Sequence, residues 1–235
     1  MGSEMCIRDR QDSVRPLGLR NPLIRTYHRE VCKGNLSTVR AFVEPLQVVL
    51  SEGGGSILIF TVRGVTEMIQ PGTQYEDWIV VKIDLKNAYN ETCRAETVRV
   101  VESEPSLQHM AAHTATTLAP HSGLECGGQK WGETGEGGTQ GDPRATQDFC
   151  ITLQPSLVLL DAACGEGGGL ARGGADDVFA MGPRETVLQA VQDFAVEVQG
   201  RCGLEVQLSG RRLNCFPYIQ YYQKESQMVF HWLAV

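Results

Sequence analysis

A membrane span needs about 18 uninterrupted apolar residues, and no stretch of this sequence approaches that length. No basic n-region followed by an apolar run opens the chain, so no secretory leader is expected. Cysteines number eight, at positions 6, 32, 93, 126, 150, 164, 202 and 215, but no Cys-x-x-Cys pair or evenly spaced framework occurs among them. That excludes a zinc ribbon and a disulfide scaffold, and predicts reduced thiols inside the cell. Basic charge is also short: 21 Lys and Arg stand against 28 Asp and Glu, a net charge of −7. That balance argues against tight, purely electrostatic binding to nucleic acid. Two short motifs lack their chemistry. His109 and His113 are four apart, but Met110 stands where a zinc hydrolase needs glutamate, and Gly53-Gly54-Gly55 lacks the Lys-Ser/Thr of a nucleotide loop.

What is present suffices for a sizeable core. The chain has 235 residues, 42% of them hydrophobic, enough for one large domain or two small ones. Trp78-Ile79-Val80-Val81-Lys82-Ile83 is the strongest strand, nearly continuous in β-branched and aromatic residues as a buried strand should be. Leu23, Ile24, Tyr27 and Val31 recur at helical spacing after Pro22, and Val39, Phe42 and Val43 continue to Pro45, which predicts two helices or one broken near Gly34. Leu58, Val62, Val65, Met68 and Ile69 mark an amphipathic helix that stops at Pro71-Gly72. A helix is predicted over 95–101, a kinked one after Pro143 with Pro155 inside it, and another after Pro183 with Val187, Val191, Phe194, Ala195 and Val198 on one face. Residues 122–138 and 165–169 are glycine-rich and predict loops.

Three stretches carry the chemistry: Ile83-Asp84-Leu85-Lys86-Asn87-Ala88-Tyr89-Asn90, Gly138-Thr139-Gln140-Gly141-Asp142-Pro143 and Gly174-Ala175-Asp176-Asp177-Val178. The first and third bring carboxylates to a common point, and the second is a tight polar turn. Carboxylate oxygens are the usual ligands of Mg²⁺, which takes one or two of them and keeps waters and substrate phosphates. Two such ions about 3.5–4 Å apart can clamp the attacking and leaving oxygens of a phosphoryl transfer. Asp84, Asp176 and Asp177 are the candidate ligands for Mg²⁺ or Mn²⁺.

In order, spacing and flanking residues these stretches resemble the palm of a reverse transcriptase of the non-LTR retrotransposon or group II intron type. Motif A there reads Asp-x-x-Asn-Ala-Phe/Tyr-Asn, motif B Gln-Gly-Asp-Pro and motif C Tyr/Phe-x-Asp-Asp. The resemblance implies an α+β fold, a right-hand palm of antiparallel sheet with helices on one face, plus partial fingers, with the thumb absent or degraded. It implies that Asp84, Asp176 and Asp177 are catalytic and metal-binding, and that Tyr89 is a steric gate against a ribose 2′-hydroxyl. By the same resemblance Gln140 and Gly141 pack under the nascent base pair, Arg15 of Arg15-Pro16-Leu17 faces the incoming triphosphate, and Arg211 stands beside the place of motif D's lysine. The partners so implied are an RNA template, a DNA primer and deoxynucleoside triphosphates, in nucleus or cytoplasm and with no membrane.

The domain reading follows. Residues 1–10 look like translated adapter read-through and are set aside as a leader; 11–74 are partial fingers, 75–215 the palm with motifs A to D, and 216–235 an irregular tail. Motif C departs from the family pattern where Gly174 replaces the aromatic residue and Arg172-Gly173 weakens the strand. That departure motivates an alternative, an inactive retroelement remnant that keeps a palm-like fold. A metal-dependent nucleotide cyclase or phosphodiesterase is a further alternative, against which Gln140-Gly141-Asp142-Pro143 and Tyr89 favour the polymerase.

Overall fold

The computed structural model describes the backbone of residues 4–8, 14–18, 22–119, 122–126, 129–138, 141–207, 219–224 and 227–232. Side chains are described for residues 22–119, 129, 133, 135–138 and 141–207. In chain order the elements are β1 (Glu4–Arg8), β2 (Val14–Gly18), α1 (Pro22–Val43), α2 (Gly54–Met68), β3 (Trp78–Asp84), α3 (Ala88–Glu91), α4 (Arg94–Ser103), α5 (Ala111–Leu118), β4 (Ser122–Cys126), β5 (Gln129–Thr134), α6 (Ala145–Gly165), β6 (Leu170–Gly174), β7 (Asp177–Pro183), α7 (Arg184–Cys202), β8 (Ile219–Lys224) and β9 (Gln227–Trp232). Contacts divide the chain into two compact units: Met1–Glu44, Asn87–Leu153 and Arg201–Leu204 form one, and Pro45–Lys86, Gln154–Gly200 and Glu205–Val235 form the other. We call them the helical unit and the sheet unit.

The sheet unit is built on an antiparallel sheet in the order β3-β7-β6. The β-branched run of β3 buries Ile79, Val80, Val81 and Ile83, and α2 lays Val62 and Val65 against Val80 and Met181. Each such buried valine contributes about 1.5–3 kcal/mol, which fixes α2 to one face of the sheet. Both sheet margins carry further backbone pairing, leaving little open edge. Beyond β3, Lys86 N–H donates to the Glu205 carbonyl at 2.9 Å and Gln207 N–H to the Asp84 carbonyl at 2.9 Å. Beside β6, Val48 N–H donates to the Gly173 carbonyl at 3.0 Å and Gly173 N–H to the Leu46 carbonyl at 2.7 Å.

The helical unit holds α1, α3, α4, α5 and the first half of α6. Val39, Val43, Val100, Val101, Leu107, Leu118, Phe149 and Ile151 are buried there. Polar groups buried with them are partnered, as burial demands: Thr97 and Thr152 share a hydroxyl hydrogen bond of 2.6 Å, and Arg94 Nε donates to the Gly137 carbonyl at 2.8 Å.

Several elements differ from expectation. α1 is one helix straight through Gly34, because a single glycine costs about 1 kcal/mol, less than the burial of Val39 and Val43 contributes. Residues 122–138, expected to be loop, contain the antiparallel strands β4 and β5; their glycines mask any alternation of apolar residues. Residues 4–8, set aside as leader, pair as β1 with β2, and the tail expected to be irregular contains the β8-β9 hairpin. Among the described residues no helix is long and apolar enough to cross a membrane.

Candidate functional site

The carboxylates of the first and third motifs meet in the sheet unit. Asp84 ends β3 and Asp177 begins β7, and the register pairs them directly, Asp84 with Asp177. Residues directly opposite in an antiparallel pair share a face. β6 and β7 are joined by a two-residue turn, Ala175-Asp176, which places Asp176 beside that pair. Three like charges at one end of a sheet repel one another, and Lys82 answers part of this. It lies two residues before Asp84, hence on the same face, and its Nζ is 2.6 Å from Asp177 Oδ1, with side-chain exposures of 32% and 45%.

Asp176 records the remaining imbalance. Burial pushes its carboxyl pKa above the usual 3.8; the neighbouring Asp177 and Asp84 carboxylates push the same way, while its own backbone hydrogen bond and Lys82 act against them. The turn is strained as well, since Ala175 sits at φ 62°, a left-handed conformation that costs a non-glycine residue about 1–2 kcal/mol.

The glycines of motif C do not leave its strand loose. Gly173 is hydrogen-bonded on its outer side to residues 46 and 48, and a side chain there would crowd Leu157 Cδ2 at 3.1 Å and Gln47 Cγ at 3.3 Å. A Cβ at Gly174 would lie 2.6 Å from Leu58 Cδ2. The α2 leucine thus occupies the space that a motif C aromatic would claim. Arg172 is tied to Asp161, its Nη1 3.1 Å from Oδ1.

Among the described residues, no three His, Cys, Asp or Glu side chains gather closely enough to enclose a metal ion. Mg²⁺ asks for only one or two carboxylates beside water and phosphate, and Asp84, exposed, with Asp176 could supply them. Asp177 is engaged by Lys82.

The other predicted site residues belong to the helical unit or lie beyond description. Tyr89 rests its ring on Phe149, centroids 5.0 Å apart and tilted by 32°, and lines a small cleft with Arg94, Gly138 and Asp148. Gly141 has φ 95°, open only to glycine at little cost, and turns the chain into α6. Asp142 caps the turn that leads into that helix: its Oδ1 accepts the Arg144 N–H at 3.0 Å, two residues on, as aspartates in turns do. Gln140 and Arg211 lie outside the described residues, and of Arg15 only the backbone, in β2, is described.

Sequence reasoning missed Lys82, Leu58, Phe149 and a buried polar group around Asp142. Lys82 alone left a signal, a lone cation two residues from Asp84 in a strand of period two. In the polar group, His28 Nδ1 is 3.1 Å from Asp142 Oδ1, and Arg144 Nη2 donates to Asp148 Oδ1 at 2.9 Å and to Thr114 Oγ1 at 3.3 Å. Burial pushes the Asp148 carboxyl up against the pull of Arg144, pushes the Cys32 thiol up to about 11, and pushes the His113 imidazole down, helped by Arg144 and His28.

No protein-family model and no curated protein matches this chain. Among solved structures it is similar to apo telomerase from Candida tropicalis truncated from its C-terminal domain, at 13% identity and a TM-score of 0.54 over 90% of this chain and 51% of that one. It is also similar to telomerase from Candida tropicalis in complex with a TWJ fragment of telomeric RNA, at 14% identity and a TM-score of 0.58 over 88% and 39% of the two chains. Telomerase from Candida albicans with the TWJ fragment gives 10% identity and a TM-score of 0.54 over 88% and 41%. At such identities the likeness establishes the fold, a reverse-transcriptase-like α+β polymerase palm. The chain spans between 39% and 51% of the length of these three neighbours.

Proposed function

We propose that this chain is the palm and partial fingers of an RNA-directed DNA polymerase from a retroelement of the non-LTR or group II intron type, acting in nucleus or cytoplasm. The observation that carries the reading is the register of β3 and β7, which sets Asp84 against Asp177 with Asp176 in the adjoining turn, on a polymerase-type sheet. Asp84 and Asp176 hold Mg²⁺ or Mn²⁺, and Asp177 completes the negative end of the sheet while Lys82 steadies it. A bound divalent cation would supply charge stabilisation at the phosphate undergoing transfer. Tyr89, backed by Phe149, selects deoxynucleotides against ribonucleotides; Gln140 and Gly141 support the nascent base pair; Arg15 and Arg211 face phosphates. Binding to RNA is supported by neighbours that were solved with an RNA fragment.

A second reading has an observation of its own. With Asp177 held by Lys82 and an aliphatic side chain where motif C usually has an aromatic, the chain fits a remnant that keeps the palm without the chemistry. Primer extension on an RNA template with deoxynucleotides, in Mg²⁺ and then Mn²⁺, separates the two. The polymerase reading expects extension that drops by on the order of a hundredfold or more in Asp84→Asn and in Asp176→Asn. A folded wild-type chain that extends nothing in either metal establishes the remnant.

A further inference from the structure

The turn at Gly141 does not stand alone in the helical unit. Three contacts fasten residues 142–147 to α1. His28 Nδ1 meets Asp142 Oδ1 at 3.1 Å, with side-chain exposures of 4% and 6%. Cys32, one helical turn further on, directs its Sγ to the Pro143 carbonyl at 3.6 Å, and Gln147 Nε2 donates to the Cys32 carbonyl at 3.0 Å. The first contact differs in kind from the others. A carboxylate oxygen only accepts, so the Nδ1–H of His28 donates to it, and the same Oδ1 takes the Arg144 N–H at 3.0 Å. One oxygen therefore ties α1 to the turn that leads into α6, one residue after the left-handed Gly141.

We propose that His28 is a positioning residue for the motif B turn, fixing through Asp142 where Gly141 presents its backbone, so that placement of α1 sets the floor under the nascent base pair. The inference rests on the polymerase reading for its consequence, while its geometry stands independently. A histidine that served packing alone would need only volume in this place; one that positions the turn needs a donor at Nδ1. The two demands part in substitution. His28→Asn keeps an amide N–H near the Nδ1 position, and His28→Leu keeps volume without any donor.

The test compares the full chain with His28→Asn, His28→Leu and His28→Ala by amide hydrogen exchange and by primer extension. In His28→Leu, exchange at residues 141–145 is expected to rise on the order of tenfold and the nucleotide KM on the order of tenfold with kcat little changed. His28→Asn is expected to restore both. His28→Ala likewise removes the donor and adds no bulk, so it should repeat the His28→Leu pattern and serves if His28→Leu does not fold. Unchanged exchange at 141–145 in both His28→Leu and His28→Ala, or failure of His28→Asn to restore it, overturns the positioning role. Local loss of protection in a chain whose wild type extends no primer upholds the latch and removes the polymerase reading instead.

Discussion

The two groups of aspartates in this chain live under opposite conditions. Asp142 and Asp148, in the helical unit, are nearly enclosed, and each has a cation or imidazole against it: His28 at 3.1 Å and Arg144 at 2.9 Å. Asp84, Asp176 and Asp177, in the sheet unit, crowd one end of a sheet, where Lys82 is the cation paired with them among the described residues. A buried charge persists only when paired, so the enclosed aspartates are committed to structure. Asp84 is exposed and Asp176 and Asp177 are half-buried, so the sheet-end carboxylates keep contact with solvent and depend less on a partner. The doublet of motif C and the aspartate of motif B look equally functional as letters; their surroundings divide them.

The largest expected effect tests that division directly. Asp148→Ala leaves the Arg144 guanidinium, 3% exposed and with Nη1 already lacking a hydrogen-bond partner, as an uncompensated buried charge. Urea denaturation should show a loss of about 3–5 kcal/mol. Asp177→Ala removes an ion pair whose members are 32% and 45% exposed and should shift stability by no more than about 1 kcal/mol. Similar losses from the two variants would erase the contrast between a structural and an available carboxylate.

A smaller effect sharpens the sheet side. Restoring the aromatic of motif C by Gly174→Tyr forces the new side chain onto Leu58, whose Cδ2 lies 2.6 Å from the Cβ position. Overpacking of this kind costs about 1–3 kcal/mol. Because the obstacle is one flexible side chain, Leu58→Ala in the same molecule should recover most of that loss, a coupling that a double-mutant cycle reads directly. Strict additivity would mean that Leu58 does not occupy the vacated space and that β6 resists the tyrosine for another reason.

How much of this was legible in the letters follows from the range of the forces. β3 was readable because its apolar run is continuous, and α2 and α7 because their buried valines recur at helical spacing. The meeting of Asp84 with Asp176 and Asp177 came from the resemblance, and the register explains it physically. The Leu58–Gly174 exchange was invisible: a leucine on one helix compensates a glycine more than a hundred residues away, and neither residue alone departs from ordinary composition. His28 likewise gave no sign, since its partner Asp142 already had a sufficient local role in the turn that leads into α6. The β4-β5 pairing was hidden by glycines that carry no side-chain pattern. Propensity and periodicity are local, and these features are settled by what packs across the fold.

The finest test concerns the charge imbalance at the sheet end. Burial raises the Asp176 pKa above 3.8, and the Asp177 and Asp84 carboxylates add to it. A carboxyl whose folded-state pKa is raised binds its proton more tightly folded than unfolded. The stability this confers is fully present below the ordinary value of 3.8 and is lost as pH rises through the folded value, after which the contribution stays level. Urea midpoints followed upward from pH about 3.5 to 7 should therefore include a falling component that Asp176→Asn lacks. Lys82→Gln should enlarge it, because a cation opposing the shift is gone. Mg²⁺ should shrink it in the wild type by favouring the ionised carboxylate. If Asp176→Asn follows the same slope as the wild type, the proton resides elsewhere. The sheet-end aspartates would then be ordinary surface charges, with no deficit for a cation to fill.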